Sequence, residues 1–275
     1  MNKILGQDNL LNKLNNYDLN NFPRSLLLVG DRGSGKHLIS NYIKENILNL
    51  PLIDITEIIS SEVIDNIYIN PNPSIYLINL SDITEKSQNI LLKFIEEPLS
   101  NAYIILLCES KLNVLNTILN RCVTIELELY TKDILSNFIS NNENKELILN
   151  VLKTPGDIIN SNLSNIEELY DLCIKICDKI NSANILNSLS ICDKINYKDE
   201  YSKFDLNLFL DVLAYSLNKY YKETLCLKYL NMYLILIENR KKLIDKRINK
   251  RLFMESLIIK LWKGSRDNGY NSIKI

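Results

Sequence analysis

Five short apolar runs, alternating with stretches of helical spacing, restrict this chain more than any other feature of its sequence. They are SLLLV (25–29), LIDI (52–55), SIYLIN (74–79), AYIILLC (102–108) and CVTIEL (122–127). Each is apolar on consecutive positions instead of alternating, the pattern of parallel strands covered on both faces. Helical spacing is predicted over 36–48, 57–66, 84–96 and 112–119. Strands alternating with helices predict a three-layer α/β fold around a parallel sheet. Pro98 is predicted to end the third of these helices, because the residue before a proline is pushed out of the α region.

The strand signal stops after Tyr130. Residues 131–165 predict two or three short helices, broken at Thr154-Pro155-Gly156, and 166 to about 262 reads as helix throughout. The expected domains are therefore 1–130, 131–165 and 166–275, with a polar, frayed tail from about 264. A chain of 275 residues with 46% hydrophobic and 24% charged residues has ample material for folded cores. Its net charge of -1 provides no global field toward nucleic acid. No apolar stretch is long enough for a membrane span and the start is too polar for a secretory leader, so a cytoplasmic protein without membrane association is expected.

The first strand runs into Gly30-Asp31-Arg32-Gly33-Ser34-Gly35-Lys36-His37. Gly30, Gly35 and Lys36 satisfy the phosphate-loop pattern G-x-x-x-x-G-K-[ST], with Gly33 an added glycine in the turn. A strand before and a helix after are the context such a loop needs. Backbone N–H groups and the helix N-terminus favour an anion there, and Lys36 can meet a phosphate as a point charge. The alternative is a glycine turn with a solvated lysine. His37 takes the place of the hydroxyl residue that would hold magnesium, an ion that prefers oxygen ligands. A residue at the helix start pointing to solvent is the simpler reading of His37.

Hydrolysis also needs an acidic pair at the end of an apolar strand, one carboxylate for magnesium and one for water. Here that strand ends in Asn79-Leu80, a degenerate acidic site. Asp82, with Glu85 three residues later, fits a helix cap and capping box as well as it fits a magnesium ligand. The six cysteines contain no CxxC pair; Cys173 and Cys177 lie one helical turn apart, and buried reduced thiols account for them. No metal site is expected. The stretch 238–251 has seven Lys/Arg against two Asp/Glu, a local charge of +5 that reads as a solvated helix face. Trp262, Tyr220 and Tyr221 read as core or interface aromatics.

The middle of the chain is the most specific. SQNILLKFIEEP (87–98) and NVLNTILNRC (113–122) resemble the "N-x-LLK-x-x-EEP" helix and the "L-x-x-TI-x-S-R-C" element of the delta-prime subunits of the bacterial DNA polymerase III clamp loader, within the AAA+ superfamily. Asn120 stands where that element has serine, and Arg121 keeps its arginine. Gly6-Gln7, Pro155-Gly156 and the collar-like 249–261 with Glu255 add to the resemblance.

That resemblance implies an AAA+ P-loop domain, a small helical lid and an all-α collar. It implies a catalytically silent module that scaffolds the complex and offers Arg121 as a finger to a neighbouring subunit's ATP. A guanidinium suits that role because it is always charged and stabilises charge on phosphoryl oxygens even when supplied in trans. The bland alternative for Arg121 is a surface arginine complementing a helix dipole. Implied partners are gamma/tau-like and delta-like subunits, the sliding clamp and, through the complex, primer-template DNA. No cofactor is required, ATP or ADP binding stays open, and residues 37–74 lack the cysteines of the zinc module seen in relatives. Two other readings remain: an ATP-hydrolysing gamma/tau-like motor, and an AAA+ module of another DNA-processing assembly.

Overall fold

The computed structural model describes residues 4–55, 59–81, 83–140, 144–181, 186, 189, 205–244 and 248–266. The chain divides into two compact units, Met1–Ser140 with Lys153–Asn160, and Asn141–Leu152 with Ser161–Ile275.

In the first unit the apolar runs become β1 (Ser25–Val29), β2 (Leu52–Ile55), β3 (Ser74–Asn79), β4 (Ala102–Cys108) and β5 (Val123–Glu126). They form one sheet in the order β2-β3-β4-β1-β5, and every pairing is parallel. Successive residues of β1 serve opposite faces. Leu27 and Val29 join the core with Ile64, Leu91, Phe94 and Ile118. Leu26 and Leu28 join the core with Leu10, Leu14, Ile39 and Ile43. The helices on the first face are α3 (Ser61–Ile69), α4 (Glu85–Glu96) and α5 (Asn116–Leu119); those on the second are α1 (Asp8–Leu14) and α2 (Lys36–Ile43). This is the expected three-layer sheet.

Two of the five strands depart from the expectation of burial on both faces. β2 and β5 are the sheet edges, and Ile53 and Val123 are 39% and 43% exposed. Each of the two carries a charged residue, Asp54 or Glu126, whereas β1, β3 and β4 carry none. At α4 the cap is Thr84, whose Oγ1 accepts from Ser87 N at 3.3 Å. The capping box expected from Asp82 and Glu85 is therefore not the start of this helix, and Asp82 lies outside the described residues. Glu97, ahead of Pro98, leaves the α region (φ -123, ψ 65), so the proline stops the helix as expected.

Helices α6 (Lys132–Ser136) and α8 (Pro155–Asn160) belong to the first unit. Pro155 opens α8, a position where its missing N–H costs nothing.

The second unit is helical among its described residues: α7 (Lys145–Val151), α9 (Leu163–Asn181), α10 (Leu206–Thr224), α11 (Leu227–Arg240) and α12 (Lys250–Gly264). Their apolar stripes, such as Ile166, Leu169, Cys173, Ile176, Cys177 and Ile180 on α9, are wholly buried. Arg240 and Asp211 form a two-pronged ion pair linking α11 to α10. Tyr220 stacks on Tyr229 at 5.2 Å between ring centres, and the Arg266 guanidinium lies 3.9 Å over Trp262. Most of the expected polar tail, 267–275, lies outside the described residues, as does Cys192. No helix among the described residues is long and apolar enough to cross a membrane.

Candidate functional site

β1 delivers the glycine loop to the carboxyl end of the sheet, where ligands of open α/β sheets gather. Gly30 N donates to Cys108 O of β4 at 3.1 Å, and Ser34 N closes a turn on Asp31 O. Gly33 (φ 76) and Gly35 (φ 92) take left-handed backbone, which explains glycine at both places. Gly35 then caps α2, and Lys36 is the first helical residue.

The Lys36 side chain is buried and turned back into its own loop. Its Nζ donates to the carbonyl oxygens of Gly30 and Asp31 (2.9 Å to the latter). Burial pulls its pKa below the ordinary lysine value, while Glu109, Cys108 and Asp31 act in the opposite direction. His37 points to solvent.

A second segment lies directly on the loop. Thr154 Oγ1 donates to Arg32 O at 3.0 Å, and Gly156 N donates to Gly33 O at 3.0 Å. The backbones come so close that a Cβ on Gly156 would stand 2.5 Å from Gly33 Cα, and one on Gly33 would stand 2.4 Å from Thr154 Oγ1. Tyr130 reaches in from the other side, its hydroxyl donating to Ser34 O at 2.8 Å. Gln7 fixes the chain that carries Tyr130: its amide exchanges two hydrogen bonds, 2.8 and 2.9 Å, with the Glu128 backbone.

Beside the loop is a cleft of about 260 Å³, lined by Gly30, Asp31, Ser34, Tyr130, Lys153 and Thr154, and by Glu109, Glu126 and Glu128. Its rim is acidic. Lys111 bridges Glu126, and Lys153 lines the same cleft. One group in the loop favours a polar ligand, the Ser34 Oγ, which is buried with no hydrogen-bond partner. The remaining features do not fit magnesium-bound triphosphate: an anionic rim, a lysine engaged by its own loop, and a glycine turn clasped by Gly156. At the end of β3, Asn79 is exposed and its Oδ1 accepts from Ser81 N at 3.1 Å, an Asx turn. Leu80 is a core residue, 1% exposed. Neither side chain supplies a carboxylate.

Arg121 stands elsewhere in the same unit. Strands β1 and β5 are parallel, with Leu26 level with Val123 and Val29 level with Glu126. Arg121 precedes β5 and so sits at the amino end of the sheet, whereas the glycine loop follows β1 at the carboxyl end. Residues 122–127, at roughly 3.3 Å each, separate the two levels by about 20 Å. The exposed guanidinium donates to Thr117 O at 3.0 Å and pairs with Glu96 at 2.8 Å. Glu96 is the first acid of the EEP motif, so the two most specific motifs of the chain meet at this ion pair.

Gln88 sets the approach to Arg121. It is 2% exposed; its Nε2 donates to Asn113 O at 2.9 Å, and its Oε1 accepts from Leu115 N at 3.0 Å. It thereby holds the loop that begins α5, the helix ending just before Arg121. Sequence reading missed Gln88, Tyr130 and Thr154. A signal existed for Gln88, a polar residue on the stripe shared by Leu91 and Ile95. None existed for Thr154 or Tyr130, whose partners are backbone atoms 122 and 96 residues away.

Comparison with known proteins agrees with the motif reading at the level of the family. Residues 53–131 match the family described as DNA polymerase III, delta subunit. Over 234 residues the chain is 26% identical to DNA polymerase III subunit gamma of Buchnera aphidicola subsp. Schizaphis graminum (strain Sg). That match covers 70% of this chain and 63% of the relative, so the chain spans under two thirds of the length of that protein. Among solved structures, a DNA polymerase III gamma subunit-related protein from Thermotoga maritima superposes with a TM-score of 0.55. It is 15% identical, with 94% of this chain and 99% of that one covered, and the likeness is one of fold. The chain has an AAA+ type fold and is similar to clamp-loader-type subunits of DNA polymerase III.

Proposed function

We propose that this clamp-loader-type chain works as a delta-prime-like subunit, a catalytically silent AAA+ module that scaffolds a cytoplasmic clamp loader and offers Arg121 to a neighbour's ATP. One observation carries the reading: Arg121 and the glycine loop lie at opposite ends of the sheet, so the arginine cannot serve its own loop. An exposed guanidinium held by Thr117 O and Glu96 is presented outward, where a phosphoryl group on another subunit can exchange for the carboxylate. Silence is supported by Asn79 and Leu80 in place of acids, by His37 turned to solvent, and by Lys36 bound to its own loop.

In this reading no cofactor or zinc is required, and any ADP or ATP held at Gly30–Lys36 is structural. The helical residues from 166 onward form the collar, and the partners are gamma/tau-like and delta-like subunits, the sliding clamp and, through the assembly, primer-template DNA. The name of the gamma relative favours the alternative, an ATP-hydrolysing motor.

The test is a complex reconstituted from the purified chain and its clamp-loader partners. Arg121→Ala is expected to leave assembly intact and to lower phosphate release at the neighbouring site by about a thousandfold, the scale of an arginine finger. An unchanged rate removes the role. Turnover by the isolated chain, abolished by Lys36→Ala, establishes the motor instead.

A further inference from the structure

The basic stretch 238–251 contributes to a second arrangement of charge, in the helical unit. Asn239, 6% exposed, is the penultimate residue of α11. Its Nδ2 donates to Ile235 O at 2.8 Å, which fixes the amide and aims Oδ1 outward from the helix. That single oxygen accepts from two ammonium groups: Lys260 Nζ of α12 at 2.6 Å and Lys242 Nζ at 3.3 Å.

Two like charges on one neutral acceptor repel, and the repulsion registers on Lys260. Its pKa lies below the ordinary lysine value through burial and then through the Lys242 charge; Glu238 is the carboxylate acting the other way. Among the described residues neither ammonium is hydrogen-bonded or ion-paired to a carboxylate. Each retains two N–H donors after serving Asn239. Complementing a helix dipole explains Lys242 at the end of α11. It does not explain why Lys260, from another helix, converges on the same oxygen, since Lys263 already occupies the last turn of α12.

We propose that Lys242 and Lys260, preset by Asn239, form a binding site for a phosphate-type oxyanion. A tetrahedral anion offers several acceptors to several converging donors, and its charge cancels the repulsion that the protein alone leaves in place. Inorganic phosphate and the phosphodiester of a nucleic acid share this chemistry.

The experiment uses the full chain and Lys242→Gln, Lys260→Gln and, as a control on α10, Lys222→Gln. One arm measures the thermal midpoint in phosphate against chloride of equal ionic strength. The other measures anisotropy of a labelled primer-template DNA across a salt series. A lost site shows as affinity weakened about tenfold or more in both site variants and not in the control. For DNA, the salt slope also falls by about one. A response to phosphate alone identifies a small anion as the ligand; a response to DNA identifies the phosphodiester. The Lys260 side-chain titration, followed by NMR, should move upward when phosphate is added. If the phosphate-minus-chloride difference and the DNA affinity are the same in all four proteins, the lysines only brace Asn239 and the proposal is overturned. Lys242 is exposed, so Lys242→Gln keeps the test valid should Lys260→Gln fail to fold.

Discussion

Gly156 touches Gly33 backbone to backbone, so the smallest added side chain has nowhere to go. Its Cβ would meet Gly33 Cα at 2.5 Å and Gly33 O at 2.8 Å, and neither is the yielding end of a side chain. Gly156→Ala is expected to part the two segments, break the Gly156 N to Gly33 O bond and cost about 1–3 kcal/mol. Urea unfolding monitored on the sheet unit measures it, and an unchanged midpoint would show that the clasp contributes nothing. The glycines at 30, 33 and 35 and Lys36 were visible in the sequence as a loop. That the lysine turns onto its own carbonyls was not, because a sequence motif does not say which acceptors surround an ammonium once the strand ends are assembled.

At the scale of elements, α4 positions α5. Gln88 spans the gap with one donor and one acceptor, so the start of α5 depends on a side chain 27 residues earlier. Gln88→Leu preserves much of the apolar packing but leaves Leu115 N and Asn113 O without this partner. A loss of about 1–3 kcal/mol follows from an unsatisfied buried group. Amide exchange should quicken at Leu115 and in α5 but not at β4, and uniform exchange would rule out this local role. EEP and Arg121 are legible in the sequence as separate motifs, 23 or more residues apart, and nothing in their spacing pairs them. Glu96 and Arg121 meet only because α4, leading into β4, and α5, leading into β5, both end at the amino end of the sheet.

For the whole molecule, burial acts in one direction on most of the shifted groups. It raises the thiols of Cys122 and Cys177 from 9.0 to about 12, and raises the phenols of Tyr68, Tyr130, Tyr215 and Tyr220 above 10.0. Cys173, deep in the helical unit, is raised as well. A group whose folded pKa exceeds its unfolded one gives stability that is complete below the unfolded value and is lost as pH climbs toward the folded one. Unfolding free energy is therefore expected to hold level from neutrality to about pH 9 and to fall beyond it, as the unfolded chain releases protons that the folded one keeps. Lys36 and Lys260, lowered by burial, oppose this over the approach to 10.5 and soften the slope. Denaturant titrations across the alkaline range check the sign; stability rising above pH 9 would contradict it.

The amino-acid order determined the five strands almost to the residue, since short apolar runs bounded by turn residues and rich in Ile, Val, Leu or Tyr suit a sheet better than a helix. It determined the glycine loop, the helix stop at Pro98 and the motifs around Arg121, all of which are local patterns of a few residues. Tertiary structure decided that Thr84 opens α4, that Thr154 and Gly156 lie on the loop, and that Lys242 and Lys260 share one oxygen. Those outcomes depend on which distant segments come together, and contact between distant segments is settled by packing the whole chain, not by spacing along it.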